Sequence, residues 1–435
     1  MIPESFIQEL LNRVDVIDVI DKSVPLKKAG SNYVACCPFH QEKSPSFTVS
    51  PSKQFYHCFG CGAHGSAISF LIEYQGMSFV DAVEDLAKSV GLTVPQDTKK
   101  ISPETKEKNL ALGEVLDLAS QYYQSALKKS ERAIAYLKKR GLTGQIAKTF
   151  QLGYAPEGWQ NLESVFKKYD DEALHIAGLV LKNDQGKRYD RFRDRIMFPI
   201  HNMTGKVVGF GGRIMVKDEK APKYVNTPES EVYQKSKILY GAYFAKSEIG
   251  KKDECVLVEG YTDVISLHQA GIQNVVASSG TALTPDQIRL VKRITPNITM
   301  LYDGDAAGIK AALRGTDLIL EEGMNVRIVI LPDSEDPDSY VKKVGADVFT
   351  QFIKENRKDL ILFKTSLFAN EAKNDPIKKS ELIRDIIESI GKIPDAIQRS
   401  VYVKECSQLF DMNEQILITE VNKIRRKKAK EQTQQ

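Results

Sequence analysis

The spacing of apolar and polar positions changes several times along the chain. Residues 1–95 combine a helical opening with short alternating segments and end at a proline. A polar, lysine-rich stretch at about residues 96–108 is typical of a linker between domains. Helical spacing resumes near Leu110 and continues to about Arg140. The next hundred residues alternate short strands, glycine turns and basic side chains.

From Glu254 the pattern becomes a regular alternation of strands and helices. Short apolar runs predict four strands, at residues 254–258, 273–277, 297–302 and 325–331. Helical spacing fills the intervals, near residues 262–270, 285–294 and 306–322. Strands that alternate with helices in this way predict a parallel, doubly wound sheet. After about Gly345 the chain is helical up to a basic, polar end.

Composition narrows the class of protein. With 435 residues, 42% hydrophobic and 27% charged, the chain fits a soluble protein of two to four domains. No apolar run approaches the ~20 residues that a membrane span needs, and the N-terminus does not resemble a secretory signal, so we expect a cytoplasmic protein. The net charge of +4 conceals a local excess, because residues 181–250 hold 14 Lys and Arg against 8 Asp and Glu. Such a segment either attracts polyanions or is an ordinary solvated face.

Four of the six cysteines lie within residues 36–61, which in a reducing compartment indicates a metal site. The segments Cys37-Pro-Phe-His40 and Cys58-Phe-Gly-Cys61 form a C-x2-H pair and a C-x2-C pair, with 17 residues between them. Such pairs close around a tetrahedral zinc ion. We therefore predict a zinc ribbon that holds one structural Zn²⁺.

Several residues near this site leave alternatives open. Cys36 is an alternative to Cys37, and His57 and His64 are additional imidazoles. Nearby aromatic and lysine side chains either pack a small metal core or bind single-stranded nucleic acid through stacking and charge. These side chains are Phe55, Tyr56, Phe59, Lys43 and Lys53.

Acidic residues follow three of the predicted strands: Glu259-Gly-Tyr-Thr-Asp263, Asp303-Gly-Asp305 and Glu335-Asp336-Pro-Asp338. In an open parallel sheet, the loops after the strands form one crevice at the carboxyl edge. Carboxylates gathered there supply the oxygen ligands that Mg²⁺ requires, and two such ions can promote phosphoryl transfer. The alternative is that each acid belongs to an ordinary turn or helix cap, and that Asp263 is simply an acid in the first turn of a helix.

The order of these motifs resembles the DnaG-type family of bacterial replicative primases. Cys37-Pro-Phe-His40, Pro45-Ser-Phe47 and Tyr56-His-Cys-Phe-Gly-Cys-Gly62 resemble its zinc-binding domain. Three later segments resemble its Toprim catalytic core: Val258-Glu-Gly-Tyr-Thr-Asp-Val264, Gly280-Thr-Ala-Leu-Thr284 and Tyr302-Asp-Gly-Asp-Ala-Ala-Gly308. Between the zinc-binding and Toprim segments lie further motifs that resemble the family, at residues 136–142, 191–200, 209–213 and 222–226. The resemblance runs from Ile2 to about residue 425.

The resemblance implies an enzyme that makes short RNA primers on single-stranded DNA from ribonucleoside triphosphates. Its zinc ligands would be Cys37, His40, Cys58 and Cys61. About two Mg²⁺ or Mn²⁺ ions would be held by Glu259, Asp303 and Asp305, with Asp263, Asp336 and Asp338 as additional catalytic acids. The template and nucleotides would bind a basic face made of Arg140, Arg191, Arg193, Arg213, Lys223, Asn226 and Lys235.

The arginines of this face also have a pattern of their own. Arg191, Arg193 and Arg195 alternate along the chain, so we predict that they point from one face of a strand. Phe192 and Ile196 then point from the other face. A solvated strand face is the simpler interpretation of the same alternation.

The family continues into a helical domain that docks the replicative helicase. This chain ends at residue 435 with a basic, polar composition that is typical of an exposed tail. We therefore expect the docking domain to be absent here, and primer synthesis that the helicase does not stimulate. Single-strand-binding protein is a further candidate partner. We expect a monomer without membrane contact, located in the bacterial cytoplasm at the replication fork.

The predicted fold is thus an α+β multidomain protein in which an α/β Toprim core with a parallel sheet carries the chemistry. Its predicted parts are a zinc ribbon domain (1–98), a linker (99–110), a basic mixed α/β subdomain (111–250), the Toprim subdomain (251–345), a helical subdomain (346–428) and a tail (429–435).

Two other functions compete with primer synthesis. One is a non-catalytic zinc and Toprim module that binds DNA in recombination, although such proteins are much shorter. The other is a Toprim nuclease or topoisomerase, which in the topoisomerase case needs a tyrosine nucleophile that the motifs do not present. No G-x-x-x-x-G-K-[ST] phosphate loop occurs, so any helicase must be a separate protein.

Overall fold

The computed structural model of the protein describes the chain except at residues 1, 3, 78, 95–102, 170, 184, 217–220, 231, 281, 333–334, 373–374 and 435. The chain divides into two compact units, Met1–Lys252 and Asp253–Gln435. Among the described residues, no helix is both long enough and apolar enough to cross a membrane.

The first unit opens with a small antiparallel sheet flanked by helices. The helices are α1 (Glu4–Arg13), α2 (Val16–Asp21), α3 (Ala67–Gln75) and α4 (Phe79–Ser89). The strands are β1 (Lys27–Ala29), β2 (Asn32–Ala35), β3 (Phe47–Ser50), β4 (Phe55–Cys58) and β5 (His64–Gly65), and they pair in chain order. Phe47 and Val49 point into the core while Thr48 and Ser50 alternate with them, which is the period of a half-buried strand.

The predicted linker at 99–110 is only partly a linker. Residues 99–102 lie outside the described residues, but helix α5 (Pro103–Lys129) begins seven residues before the expected start near Leu110. The local composition of Pro103–Lys108 is polar and charged. Lys and Glu are good helix formers, so polarity alone did not distinguish a linker from a helix.

The rest of the first unit packs helices against a four-stranded antiparallel sheet. The sheet has the order β11 (Tyr224–Asn226), β10 (Val207–Ile214), β9 (Arg195–His201) and β6 (Gly153–Ala155). A separate hairpin pairs β7 (Val180–Lys182) with β8 (Arg188–Asp190). The accompanying helices are α6 (Glu131–Lys139), α7 (Gly144–Thr149), α8 (Asp171–Ile176) and α9 (Ala242–Lys252), with a 3₁₀ turn at Lys235–Lys237.

The arginine alternation does not form one strand, so that prediction was wrong. Strand β8 ends at Asp190 and β9 begins at Arg195, which leaves Arg191 and Arg193 in a turn. Asp194 adopts a left-handed backbone conformation with φ of 50°, and this conformation ends any extended segment before β9. Arg195 is buried and donates hydrogen bonds to the carbonyl oxygens of Gly212 (3.1 Å) and Lys223 (3.4 Å).

The second unit confirms the predicted α/β core. Four parallel strands have the order β13 (Val275–Ala277), β12 (Cys255–Val258), β14 (Asn297–Tyr302) and β15 (Asn325–Ile330). The connecting helices are α10 (Tyr261–Gln269), α11 (Pro285–Lys292) and α12 (Ala306–Glu321), and α13 (Pro337–Val344) follows β15. The strands are almost wholly buried, as apolar runs in a parallel sheet should be.

Five helices complete the second unit: α14 (Ala346–Asn356), α15 (Leu360–Ala372), α16 (Pro376–Lys392), α17 (Ala396–Phe410) and α18 (Glu414–Gln434). The predicted helical subdomain is therefore present. The predicted tail at 429–435 is not a coil, because α18 continues to Gln434, and Gln435 lies outside the described residues.

A buried polar network connects these helices to the sheet domain. Lys364 on α15 is almost inaccessible to solvent, and it donates to Ser389 Oγ (2.7 Å) and pairs with Asp385 Oδ2 (2.6 Å) on α16. The Ser389 hydroxyl in turn donates to Asp317 of α12 (2.6 Å). Buried polar groups that are satisfied in this way fix one packing arrangement of helices.

Candidate functional site

The four residues predicted to bind zinc converge in the first unit. Cys37, His40, Cys58 and Cys61 each offer one ligand atom, and these atoms all lie within 4.8 Å of one another. Cys58 ends strand β4, while Cys37 follows β2, so the antiparallel sheet brings the two pairs together. Three sulfurs and one imidazole at this spacing match the ligand set of a structural zinc site.

Local hydrogen bonds prepare the thiols for a cation. The backbone N–H groups of Gly60 (3.3 Å) and Cys61 (3.4 Å) both point to Cys58 Sγ. Burial opposes ionisation of this thiol, but the Ser46 hydroxyl and these N–H groups outweigh it and lower the pKa of Cys58 to about 6. Burial raises the pKa of Cys37, and bound zinc would remove that penalty because it stabilises thiolates.

The structure resolves which cysteine belongs to the cluster. Cys37 is buried within it, whereas Cys36 is exposed outside it. His57 and His64 also lie outside the ligand group, opposite each other on β4 and β5. Among the aromatic side chains, Tyr56 is fully buried and belongs to the core, while Phe55 and Phe59 are exposed.

Glu42 is a functional candidate that the sequence analysis missed. Its Oε2 atom lies 3.2 Å from His40 Nε2, while His40 Nδ1 faces Cys58 Sγ at 3.7 Å. Glu42 also accepts hydrogen bonds from the backbone N–H groups of Cys37 (2.6 Å) and Ser46 (3.0 Å). A carboxylate that orients a metal-ligating imidazole is a common supporting group in zinc sites. Its position two residues after the histidine was the available signal.

The acidic clusters of the second unit lie where the strand pattern places them. Glu259 follows β12, Asp303 follows β14, and the 335–338 cluster follows β15. Burial raises the pKa of Glu259, and the nearby charges of Asp303 and Asp305 raise it further. Carboxylates held close enough to disturb one another's ionisation are suited to share cations.

Asp263, like Asp338, is buried, unlike the other proposed acids. Burial, followed by the charges of Asp336 and Asp338, raises its pKa to about 7. The acids are less tightly gathered than the zinc ligands. Within the described part of the chain, only the cysteine and histidine group places three or more candidate ligand atoms within 4.8 Å.

Several acids also have structural partners. Asp305 caps α12, Asp336 caps α13 by accepting from Ser339 N–H (2.6 Å), and Asp263 accepts from Gly260 N–H (2.9 Å). One carboxylate oxygen suffices for each cap, so a cap and a metal ligand are compatible roles for one side chain. Asp338 differs from the others, because it is buried between the Ser266 hydroxyl and the Lys342 ammonium group.

Part of the predicted basic face gathers around β10 and β11. The Arg191 guanidinium donates twice to the Asn226 carbonyl oxygen (3.0 and 3.2 Å). Arg213 donates to the Tyr224 hydroxyl (2.7 Å), and Lys223 beside it is exposed. Arg140 instead caps the end of α6, and Lys235 begins the 3₁₀ turn.

Arg193 has an aromatic environment that the sequence analysis did not foresee. Its guanidinium carbon lies 4.2 Å from the centre of the Trp159 ring and 5.4 Å from that of Tyr189. Trp159 is the only tryptophan of the chain, and it is 64% exposed. The Arg193 guanidinium and the two rings attract each other through cation–π interactions, which hold the exposed Trp159 side chain in place.

Family comparisons agree with this division of the chain. Residues 2–102 match the model of the CHC2 zinc finger, and residues 122–246 match the N-terminal domain of the DNA primase catalytic core. Residues 256–341 match a Toprim-like family, and residues 368–415 match the DnaB-helicase binding domain of primase.

The last match corrects the expectation that the helicase-docking domain is absent. The helical pattern of residues 346–428 was predicted, but no partner was assigned to it. Helical periodicity reports which residues face the core, and it carries no information about what an exposed face binds.

Curated relatives are DNA primases. The chain is 43% identical to that of Legionella pneumophila over 94% of this chain and 71% of the relative. For Pseudomonas putida the identity is 41%, over 95% of this chain and 64% of the relative. For Escherichia coli the identity is 41%, over 93% of this chain and 70% of the relative. The chain thus spans about two thirds of the length of these relatives.

Solved structures show the same likeness. The zinc binding and RNA polymerase domains of the Aquifex aeolicus primase are 38% identical, with a TM-score of 0.65, over 95% of this chain and 98% of that one. A DnaG primase catalytic domain bound to single-stranded DNA is 35% identical, with a TM-score of 0.64, over 70% of this chain and 99% of that one. With a zinc ribbon, a primase core and a Toprim sheet in this order, the chain belongs to the DnaG-type family of bacterial DNA primases, which are DNA-directed RNA polymerases.

Proposed function

We propose that this chain synthesises short RNA primers on single-stranded DNA from ribonucleoside triphosphates. The observation that carries the proposal is the convergence of Glu259, Asp303 and Asp305 at one edge of the parallel sheet. Burial raises the pKa of Glu259 there, and the charges of Asp303 and Asp305 raise it further. Carboxylates that lie close together repel one another and disfavour the charged form of each. Such a group of carboxylates is expected where divalent cations bind, because the cations offset this repulsion.

The acid set fits divalent cations of the Mg²⁺ or Mn²⁺ type. Glu259, Asp303 and Asp305 would hold about two of them, with Asp263, Asp336 and Asp338 as supporting acids. Such ions, when bound, stabilise the charge on the attacking and leaving oxygens of nucleotidyl transfer. The pairing of Asp338 with Lys342 makes it the weakest member of the set, because its charge is already compensated.

The protein's own contribution is to keep these carboxylates in fixed positions. Asp303 and Asp305 lie on the short loop that links β14 to α12. A Cβ atom added at Gly308 would lie 2.5 Å from the Asp303 carbonyl oxygen, and one added at Gly304 would lie 2.6 Å from the Leu331 carbonyl oxygen. The loop therefore packs too closely for larger residues, and it holds both aspartates rigidly. Rigid positioning is most of what an enzyme supplies to phosphoryl transfer.

Template and nucleotide binding belongs to the basic face of the first unit. The proposed residues are Arg140, Arg191, Arg193, Arg213, Lys223, Asn226 and Lys235. Arginine and lysine side chains bind phosphates through charge and hydrogen bonds. Trp159 and Tyr189 join this face as candidate stacking residues, because they already hold Arg193.

The zinc ribbon supplies a second contact with the template in this proposal. Cys37, His40, Cys58 and Cys61 would hold its single Zn²⁺, and Glu42 would orient His40. Phe55 and Phe59 are the exposed aromatic residues beside the site. Flat rings on an exposed sheet can stack with the bases of a single strand.

The partners follow from the same family. The match to a helicase-binding domain supports the replicative helicase as a protein partner. We further propose that single-strand-binding protein is a neighbour, and that the chain acts as a monomer in the bacterial cytoplasm at the replication fork.

One assay tests the proposed activity against its rivals. The chain is incubated with single-stranded DNA, Mg²⁺ and labelled ribonucleotides, and short RNA is the expected product. Cleaved or relinked DNA would instead indicate a nuclease or topoisomerase, and a mobility shift without products would indicate a binding module. Glu259→Gln and Asp303→Ala should abolish synthesis and leave DNA binding unchanged.

A matched control for these variants is Asp286→Asn. Asp286 lies in the first turn of α11, its side chain is 44% exposed, and it pairs with Arg289 (3.3 Å). This control should retain full synthesis. Near-normal synthesis by Glu259→Gln would overturn the assignment of the catalytic acids.

A further inference from the structure

The carboxylate of Asp338 accepts hydrogen bonds from two different helices. Its side chain is 6% exposed, and its Oδ1 atom accepts from the Ser266 hydroxyl of α10 and from the Lys342 ammonium group of α13. Ser266 is itself buried, whereas the Lys342 side chain is 33% exposed. A buried carboxylate needs a compensating cation, and Lys342 supplies one at this position.

Other proposed acids lie in more open surroundings. Asp305 is exposed on the loop after β14, and Glu259 has the charges of Asp303 and Asp305 nearby. Mg²⁺ is usually bound by one or two carboxylates and keeps several waters beside substrate phosphates, so its ligands need open space. Asp338 has neither that space nor an uncompensated charge, and it therefore does not fit the role of a metal ligand.

The bond between Ser266 and Asp338 ties together two helices that each carry a proposed acid. Helices α10 and α13 pack against each other. Asp263 lies three residues before Ser266, so both side chains point from the same face of α10. Asp336 caps the start of α13, and the charges of Asp336 and Asp338 add to the effect of burial in raising the pKa of Asp263. The bond therefore holds the start of α13 beside Asp263.

Helix α10 also fixes the loop that carries Glu259. The Oδ2 atom of Asp263 accepts a hydrogen bond from the backbone N–H of Gly260 (2.9 Å), the residue that follows Glu259. The tie between α13 and α10 thus governs the separation of Glu259, Asp263 and Asp336. Because Mg²⁺ demands near-ideal octahedral geometry, a small change in this separation weakens its binding.

We propose that Ser266, Asp338 and Lys342 form one positioning unit for the catalytic edge of the sheet. Lys342 supplies the positive charge that the buried Asp338 requires, and Asp338 supports the metal site through α10 and α13 without binding a metal ion. This inference rests on the proposed metal-dependent synthesis. It gives Asp338 a defined role within the acid set, and it adds two residues, Ser266 and Lys342, that lie outside that set.

The test measures the Mn²⁺ affinity of the zinc-loaded full chain by electron paramagnetic resonance, in parallel with RNA synthesis. Asp338→Asn keeps an oxygen acceptor for both donors, so its Mn²⁺ affinity should stay close to that of the unaltered chain. Glu259→Gln changes a proposed ligand and should bind Mn²⁺ at least about tenfold more weakly. A merely structural role of Ser266 and Lys342 would alter stability and leave the Mn²⁺ affinity unchanged.

Lys342→Met leaves the buried charge of Asp338 without its partner. We expect this variant to bind Mn²⁺ about tenfold more weakly and to lose RNA synthesis in step. Lys342→Arg keeps the charge and should bind Mn²⁺ normally. Adding Asp338→Asn to Lys342→Met should restore the Mn²⁺ affinity, because replacing both members of a buried ion pair is far less harmful than removing one. Ser266→Ala should also weaken Mn²⁺ binding.

The matched control is Lys343→Met, which changes the next residue of α13. The Lys343 side chain is 66% exposed and its ammonium group pairs with Glu335 (2.6 Å). This variant should match the unaltered chain in both measurements. Circular dichroism and thermal melting verify that each variant is folded, and Asp338→Asn and Ser266→Ala decide the question if Lys342→Met does not fold.

Two results would overturn the proposal and leave the proposed function intact. If Asp338→Asn lost as much Mn²⁺ affinity as Glu259→Gln, and the double variant did not recover, Asp338 would be a metal ligand. Normal or tighter Mn²⁺ binding by Lys342→Met would show that Lys342 does not position the acids. The absence of both Mn²⁺ binding and RNA synthesis in the unaltered chain would instead remove the proposed function.

Discussion

The Oδ1 atom of Asp305 accepts a hydrogen bond of 2.7 Å from the backbone N–H of Gly308. Asp305 thus begins helix α12 as its N-cap while it stands among the proposed metal ligands. The two roles depend on different properties of the side chain. The cap needs an oxygen acceptor, whereas a cation needs the negative charge.

This difference gives the first prediction. Asp305→Asn should keep the cap. Its free energy of unfolding should differ from that of the unaltered chain by only roughly a few tenths of a kcal/mol. Asp305→Ala should lose the cap and about 1 kcal/mol of stability. Both variants should lose primer synthesis. Urea denaturation and the RNA assay measure the two properties separately, and an active Asp305→Asn chain would show that the charge is not needed.

The second prediction concerns zinc. Elemental analysis should find one Zn²⁺ per chain, and Cys58→Ser should reduce this content strongly, because Cys58 is fully buried in the cluster. Hydrogen exchange should then increase across residues 30–65, since small zinc modules depend on the metal for folding energy. The sheet of the second unit should keep its protection.

The exposed neighbour Cys36 is the matched control for that experiment. Cys36→Ser should retain the full zinc content. If Cys36→Ser and Cys58→Ser lost zinc equally, Cys36 would be a ligand and the cluster would have to rearrange around it.

The third prediction is a pH dependence that arises from His201. This side chain is 5% exposed, its Nε2 atom lies 3.4 Å from Gln151 Oε1, and burial lowers its pKa from 6.5 to about 4. Below pH 6.5 the unfolded chain binds a proton that the folded chain excludes. Above pH 6.5 the His201 imidazole therefore has no effect on the free energy of unfolding. As the pH falls from 6.5 towards 4, it lowers that free energy progressively, by about 3 kcal/mol at most.

Urea denaturation of the first unit at pH 7 and pH 5 measures this effect. His201→Gln should lose roughly 2 kcal/mol less stability than the unaltered chain between these two pH values. His175→Gln, which changes an exposed histidine of the same unit, is the control and should lose as much as the unaltered chain. An identical pH dependence in all three proteins would contradict the assignment to His201.

The fourth prediction separates template contacts from structural arginines. Lys223 is exposed, so Lys223→Ala should reduce the salt dependence of single-stranded DNA binding by about 0.7 in the slope of log K against log salt. Arg195 is buried among carbonyl oxygens, so Arg195→Met should lower stability and leave the slope unchanged. Fluorescence polarisation over a salt series measures the slope. An unchanged slope for Lys223→Ala would place the template elsewhere.

The parts of the structure that the sequence predicted well are those specified by local spacing. The two zinc pairs and the alternation of strands and helices after Glu254 each depend on residues that are close together in the chain. The four strands of the second unit begin and end within two residues of their predicted positions. The acids at their carboxyl ends follow directly from that topology.

The remaining features depend on information that spacing does not contain. The turn at Asp194 is a single left-handed residue, and it separated three arginines that a strand would have aligned. Helical periodicity after Gly345 predicts helices, but it does not show which segment matches a helicase-binding domain.

Trp159 gives the protein an intrinsic fluorescence signal beside Arg193. It is the single tryptophan of the chain, its ring is largely exposed, and the guanidinium of Arg193 lies 4.2 Å from its centre. Light emitted on excitation at the red edge of indole absorption therefore comes from one place only, the Trp159 ring beside Arg193. Any polyanion that takes Arg193 away from the ring, or that lays a base on it, changes the colour and intensity of that emission. The arrival of a nucleic acid strand at this face can thus be followed in real time without attaching a dye to either molecule.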